Sequence, residues 1–145
     1  MKKILLFLIV LVIGIANTSA QKHVPLAKFK NDTLSYLREN FEENQPYKGR
    51  KFSAFLKNNE LKIDSIKICS FHGELSGVDI YYYPRELWPD QVKRPFMSVF
   101  RFAPPLKNYD VIEPQVKNLS LKEKLDFFKD YEILGISIEL IIGAW

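Results

Sequence analysis

The segment VDIYYYPRELWPDQVKRPFMSVFRF, residues 78–102, decides the predicted fold because it holds two strand-like runs and the link between them. In the first run, residues 78–83, aliphatic side chains alternate with others, and Tyr82 falls on the aliphatic face. In the second run, residues 96–102, phenylalanines recur on one face. A period of two is typical of a strand with one buried face. The segment therefore predicts two neighbouring antiparallel strands.

The faces turned away from the predicted core carry the candidate site. Tyr81 and Tyr83 point away from the aliphatic face, and the link that follows is too long for a plain hairpin and carries Arg85 and Trp88. Tyrosine, tryptophan and arginine most often carry binding energy at interfaces. The predicted contact surface consists of Tyr81, Tyr83, Arg85, Trp88 and Arg101, and Met97 and Val99 line it if the strands pair antiparallel. The alternative is that these aromatic residues are ordinary strand formers and that Trp88 covers the sheet edge.

Helix signals occur on both sides of this segment. Good capping residues at 31–32 predict a helix of about three turns, and a second helix fits residues 50–58. A capping box formed by Ser120 and Glu123 predicts a third helix. Residues 103–118 contain three prolines and are predicted to be irregular.

Two further strands complete the pattern. Residues 61–70 alternate, but the phase breaks near Asp64, so either a bulge repairs it or the strand starts after Ser65. Residues 134–142 alternate too, with Leu134 and every second residue after it facing the core. The order helix, helix, strand, strand, strand, helix, strand predicts a two-layer α+β domain with about four antiparallel strands and helices on one face.

Few residues in the chain have the character of a catalytic group. Cys69 is the only cysteine and lies in the apolar stretch IKICSF, which predicts a buried, unpaired thiol. Of the two histidines, His23 lies in a polar lead-in expected to be mobile and His72 lies in a turn. Ser76 lacks the flanking glycines of a nucleophile elbow. No catalytic residue is therefore predicted.

Several classes of function are disfavoured. The turn offers only His72 and Glu74 as metal ligands, whereas a site needs three or four, so no metal is predicted. No phosphate loop or dinucleotide fingerprint occurs, so no cofactor is predicted. The formal net charge of +4 is small for a protein whose main partner is nucleic acid. The 17 acidic residues do not exclude a carboxylate-based glycosidase, but a small two-layer domain without a deep cleft disfavours one.

The beginning of the chain has the layout of a secretory signal peptide. Two lysines precede the uncharged apolar run Ile4–Ala16, and small residues lead to Ala20. As a helix this run rises about 20 Å, less than the roughly 30 Å hydrocarbon core of a membrane. Residues 1–20 are therefore predicted to be a cleaved signal peptide, with no stable membrane anchor after cleavage, and residues 21–145 a single domain.

Three stretches carry a resemblance to small exported bacterial proteins of unknown function. They are MKKILLFLIVLVIG at residues 1–14, GRKFSAFLKNNEL at residues 49–61 and GVDIYYY at residues 77–83. The resemblance implies a periplasmic or secreted protein and brings no catalytic residues with it. The expected function is an exported, non-enzymatic binding module with a protein or glycan partner. The alternatives are a periplasmic inhibitor or immunity-type protein and a small hydrolase without a recognisable site.

Overall fold

The computed structural model describes residues 22–83 and 95–141. Four strands form one antiparallel sheet in the order β1–β2–β3–β4. The strands are β1 (Ser65–Phe71), β2 (Glu74–Tyr81), β3 (Phe96–Phe102) and β4 (Ile133–Leu140). The helices in the described ranges are a 3-10 turn (Leu26–Phe29), α1 (Thr33–Leu37), α2 (Phe52–Asn58), α3 (Tyr109–Val116) and α4 (Leu121–Phe128). The predicted two-layer α+β class is confirmed.

The helices begin where side chains satisfy their first backbone N–H groups. Asp32 accepts a hydrogen bond from the backbone of Ser35 and so caps α1, which continues into a π-helical turn at Arg38–Glu42. Ser120 and Glu123 form the predicted capping box of α4, in which the glutamate accepts from the Ser120 N–H at 2.8 Å. Such caps satisfy the backbone donors that a helix start leaves without partners.

Helix α3 was not predicted, because the sequence around it contains prolines and one of them, Pro114, lies inside the helix. Proline usually breaks a helix interior. Here Asn108 caps the start by accepting from the Asp110 N–H, and Ile112 and Val116 are buried one turn apart. The prediction that residues 103–118 are irregular is therefore wrong for the second half of that range.

Phenylalanine rings join the inner face of the sheet to the helices. Phe52 and Phe55 of α2 contact Phe100 of β3, with ring centroids 5.0 and 4.5 Å apart. At the other end of the core, Phe102 stacks on Phe128 of α4. Full burial of such rings stabilises the fold by about 2 kcal/mol or more each. The described helices therefore all cover the same face of the sheet.

The β1–β2 hairpin is closed by a tight turn. Its turn is only His72–Gly73, with φ of 51° and 79°, as a two-residue turn of the mirror-image type requires. β1 begins at Ser65, within one residue of the later start considered from the sequence. The register shifts between Cys69 and Ser70. Just beyond the shift, a Cβ on Gly77 would overlap the Phe100 carbonyl, so only glycine fits there.

β4 does not bury every residue that its alternation suggests. The register with β3 shifts between Arg101 and Phe102, so Ile133 lies opposite Phe102 and is fully buried. Leu134 is 47% exposed. The prediction that Leu134 faces the core is therefore wrong, because the pattern contains no sign of the shift. Ile136 and Ile138 are buried as predicted.

The segment before α1 is fixed to the helix layer. Both backbone groups of Val24 bond to the buried side-chain amide of Asn40, at 2.7 and 2.9 Å. The His23 ring lies edge-on to Tyr36, and its Nε2 is 3.1 Å from Glu60. The expectation that His23 is mobile is therefore wrong. Glu60 also accepts from the Leu26 N–H, so one carboxylate holds two points of the segment.

Candidate interaction surfaces

The outer face of the sheet, opposite the helix layer, carries two of the residues predicted to bind a partner. Tyr81 lies opposite Met97, and Asp79 lies opposite Val99. Arg101 lies opposite a glycine of β2 on the same face. The predicted sharing of one face by Met97, Val99, Arg101 and Tyr81 is confirmed. Tyr81 and Arg101 are nevertheless about 13 Å apart along the strand direction, because several residues separate their positions.

Tyr83 does not join this face. β2 ends at Tyr81, and beyond it Tyr83 packs edge-on against the core residue Phe96, with ring centroids 5.4 Å apart. Its hydroxyl lies 3.2 Å from Thr33 Oγ1 in α1. The expected placement of Tyr83 beside Tyr81 is wrong, because the alternation does not continue past the end of the strand. Tyr82 is buried as predicted, with its hydroxyl 2.6 Å from Ser98 Oγ.

Arg85 and Trp88 lie outside the described residues. Of the five residues in the predicted contact surface, Tyr81 and Arg101 therefore have described positions on the outer face. That any of the five contacts a partner stays a prediction.

A carboxylate, a guanidinium and a thiol meet on the outer face. Arg101 Nη1 lies 3.9 Å from Asp79 Oδ1, which is buried and has no hydrogen-bond partner among the described residues. Cys69 lies beside this carboxylate and is half-buried. The sequence had predicted that it is buried, and that prediction is wrong because Cys69 faces the outer side of the sheet. Burial, and then the hydrogen bond to Asp79 and the charge of that carboxylate, raise the pKa of the Cys69 thiol to about 12. The thiol is therefore protonated at neutral pH and is a poor nucleophile.

The edge of the sheet at β4 is sealed by two side chains that follow α1. Glu42 Oε1 accepts a hydrogen bond from the Ile138 N–H at 2.7 Å. Gln45 binds both backbone groups of Ile136, accepting from its N–H at 2.9 Å and donating to its carbonyl at 2.8 Å. Farther along the strand, Gly49 and Arg50 bond to the backbone of Ile133. Several of the backbone groups that a fifth strand would need, at Ile133, Ile136 and Ile138, are thus occupied.

The register shows which groups face outward at the opposite edge. Ile138 turns its N–H away from the sheet, towards Glu42, and lies opposite Ser98. Ser98 lies opposite Ile80, which lies opposite Ile66. In antiparallel sheets, hydrogen-bonded and non-hydrogen-bonded pairs alternate along and across the strands. Ile66 therefore turns its N–H and C=O outward at the free edge of β1.

The same register argument, started from Ile136, assigns an outward backbone to Ile68. No hydrogen bond within the described residues engages the outward groups of Ile66 and Ile68. Among the described residues, the β4 edge is therefore blocked at Ile136 and Ile138, whereas the β1 edge presents donors and acceptors without partners. Such an edge is a template for pairing with another chain.

A groove of about 230 Å³ runs between the open edge and the helix layer. It lies where β1 meets α3 and α4, and its apolar lining consists of Ile66, Ile68, Tyr109, Val116 and Phe128. The charged residues that line it are Lys67, Lys117, Lys124 and Glu113. A segment that pairs with β1 would place every second side chain in this groove. We call Ile66, Ile68 and this groove the β1 edge site.

A second groove, of about 800 Å³, lies between α2 and α4 on the helix layer. Leu56, Leu125 and Phe127 supply its apolar lining. Its charged residues balance, and they are Lys122, Lys129, Glu123 and Asp126. It presents no strand edge, so nothing in its lining selects a particular kind of partner.

Sequence reasoning missed both the seal and the β1 edge site. The hydrogen bonds of Glu42 and Gln45 join residues more than ninety positions apart in the chain, so no local pattern indicates them. Lys117 and Lys124 lie on either side of the capping box, and the helix period alone does not show that both face β1. The only sequence signal was the order of the strands. In a sheet of sequentially paired strands, the first strand lies at an edge, as β1 does here.

Metal and membrane signals are also lacking in the described part of the chain. Within residues 22–83 and 95–141, no three His, Cys, Asp or Glu side chains cluster as a metal site would require. None of the helices in those ranges is both long and apolar enough to cross a bilayer.

Comparison with known protein families, with curated proteins and with solved structures found no match.

Proposed function

We propose that this protein is an exported, non-enzymatic interaction module that binds a partner protein by pairing an extended segment of that partner with β1. Strand addition to an exposed edge is a common mode of peptide recognition, in which backbone hydrogen bonds supply affinity and side-chain pockets supply specificity. The apolar start of the chain supports export, since residues 1–20 have the layout of a signal peptide.

The observation that carries the proposal is the asymmetry of the two edges. Glu42 and Gln45 occupy three outward backbone groups at the centre of β4, the N–H of Ile138 and both groups of Ile136. The equivalent groups of Ile66 and Ile68 have no partner among the described residues. Proteins usually block or shorten exposed edges because these promote aggregation. An open edge beside a lined groove is therefore the most specific feature of this fold.

The outer face contributes less to the proposal. Tyr83 packs into the helix side, so the flat aromatic surface that would favour a glycan lacks one of its predicted members. Arg101 lies near Asp79 and is only partly available for a ligand. These contacts favour a protein partner over a sugar. An inhibitor of another exported protein, the alternative from the sequence, would be one form of the same interaction.

The proposal is tested by selecting binders from a displayed library of random peptides and comparing two variants at one position. Ile68→Pro removes the outward N–H at the centre of the edge, whereas Ile68→Ala removes a similar amount of side chain and keeps that N–H. Because both variants lose the same part of the groove lining, selected peptides should bind Ile68→Pro much more weakly than Ile68→Ala. Circular dichroism of both variants checks that the fold is retained.

Amide chemical shifts provide a readout on the unmodified chain. Adding a selected peptide should shift the amide signals of Ile66 and Ile68 most strongly. If no peptide is enriched, or if enriched peptides shift signals elsewhere and bind both variants equally, the proposed function is wrong.

A further inference from the structure

We infer, on the basis of the proposed function, that the segment received by the β1 edge site is acidic. The groove beside β1 is lined by three lysines and one glutamate, namely Lys67, Lys117, Lys124 and Glu113. The excess of positive charge lies along the path that an added strand would follow. Surface charges of one sign steer partners of the opposite sign and reject those of the same sign.

The lysines approach the added segment from two sides. Lys67 lies opposite Asp79 in the register and therefore belongs to the outer face of the sheet. Lys117 follows α3 and Lys124 belongs to α4, so both lie on the helix side of the groove. Alternate residues of a strand point to opposite faces. Acidic side chains on either face of the segment would therefore meet a lysine.

The groove lining also favours apolar residues in the middle of the segment. Ile66 and Ile68 are only partly covered by the core, and Val116 and Phe128 lie beneath them in the same groove. A short alternating run with β-branched residues would bury this surface, and acidic residues at its ends would reach the lysines. The partner chemistry is thus an extended peptide with an apolar centre and acidic flanks.

The same charges disfavour a second copy of this chain as the occupant. If β1 paired with β1 of another molecule, the two copies of Lys67 would lie near each other, and both basic grooves would meet. Like charges directly across a pair of strands are destabilising. Lysines on edge strands are a known device against self-pairing. The lysines here therefore disfavour a second copy of the chain and favour an acidic segment.

The test uses three fluorescent peptides that differ only in their flanks, EETVTVTEE, SSTVTVTSS and KKTVTVTKK, and measures binding by anisotropy. The acidic peptide should bind about tenfold or more tightly than the basic peptide at low salt. Its advantage should shrink in molar salt, because exposed charges are then screened over about 3 Å. Its addition should shift the amide signals of Ile66 and Ile68.

Charge reversal with a matched control isolates the groove. Lys117→Glu combined with Lys124→Glu should weaken the acidic peptide about tenfold and strengthen the basic one. Lys48→Glu combined with Lys57→Glu changes the net charge equally at exposed positions outside the groove. That control should leave the acidic preference unchanged.

The outcomes separate this inference from the proposed function. If neutral or basic peptides bind the β1 edge site as tightly as the acidic one, the acidic preference is wrong while strand addition stands. If none of the three shifts Ile66 or Ile68, or if the chain dimerises through β1, the inference is overturned. Strand addition itself then depends on the library selection with Ile68→Pro and Ile68→Ala.

Discussion

The two outermost strands of the sheet, β1 and β4, both turn isoleucine side chains towards the helix layer, but the backbone groups at their outer edges differ in hydrogen bonding. On β4, both outward backbone groups of Ile136 bond to Gln45, and the outward N–H of Ile138 bonds to Glu42. On β1, the register assigns outward groups to Ile66 and Ile68, and no described residue bonds to them. These two side chains block the centre of the β4 edge. The proposed function accounts for the contrast by a partner that pairs with β1, and the predictions below change one side of the contrast.

The largest effect is expected from opening the sealed edge. Glu42→Ala combined with Gln45→Ala removes three hydrogen bonds to the β4 backbone. Each backbone group left without its partner costs about 1 kcal/mol where water replaces the bond and more where it does not. The double variant should lose about 3 kcal/mol of stability in urea denaturation.

The neighbouring Glu43→Ala is the matched control, because Glu43 is exposed and its side chain forms no hydrogen bond with the described residues of β4. It should change stability by less than about 0.5 kcal/mol. The double variant should also self-associate at high concentration, since β4 becomes a second open edge. Equal stability of the double variant and the control would mean that the seal contributes nothing.

A smaller loss of stability is expected from a change in α4, the helix that lines the groove beside β1. Ser120→Ala removes the cap of α4, the helix that carries Lys124 beside β1. Loss of such a cap costs about 1 kcal/mol. Ser70→Ala, at an exposed position on β1, is the control and should leave the denaturation midpoint unchanged. An unchanged midpoint in Ser120→Ala as well would contradict the role of the capping box.

Local patterns predicted the parts of this fold that local physics determines. Alternation identified β2, β3 and β4, and the Ser120–Glu123 box identified α4. Patterns failed where a distant residue decides the outcome. The shift between Arg101 and Phe102 exposes Leu134, and Asn108 starts a helix that tolerates Pro114.

The candidate site shows the same limit. Tyr81 and Arg101 lie on the predicted face because they belong to regular strands. The predicted position of Tyr83 was wrong because β2 ends two residues earlier, at Tyr81, and the Tyr83 ring packs against Phe96. The hydrogen bonds of Gln45 to β4 could not be predicted, because Gln45 lies in a stretch with the sequence pattern of a loop. Contacts between distant segments fix such details, and a single sequence does not contain them.

A further prediction concerns the chemical reactivity of the Cys69 thiol rather than the stability of the fold. With its pKa raised to about 12, the thiolate fraction at neutral pH is on the order of a thousandfold below that of a free cysteine. A thiol reagent at pH 7 should therefore label the native protein far more slowly than the urea-unfolded chain. Asp79→Asn removes the neighbouring charge and should speed native labelling. Equal native and unfolded rates would contradict the placement of Cys69 beside Asp79.

Amide hydrogen exchange compares the two edges most directly, because it reports the hydrogen bonding of individual N–H groups. Four amides matter, those of Ile136 and Ile138 on β4 and those of Ile66 and Ile68 on β1. In the protein without a partner, the two β4 amides should exchange slowly, because Gln45 and Glu42 accept their hydrogen bonds. The two β1 amides should exchange rapidly although they lie within a strand, and they should become protected when a peptide binds. Protection of Ile66 and Ile68 equal to that of Ile136 and Ile138 in the free protein would contradict the open edge.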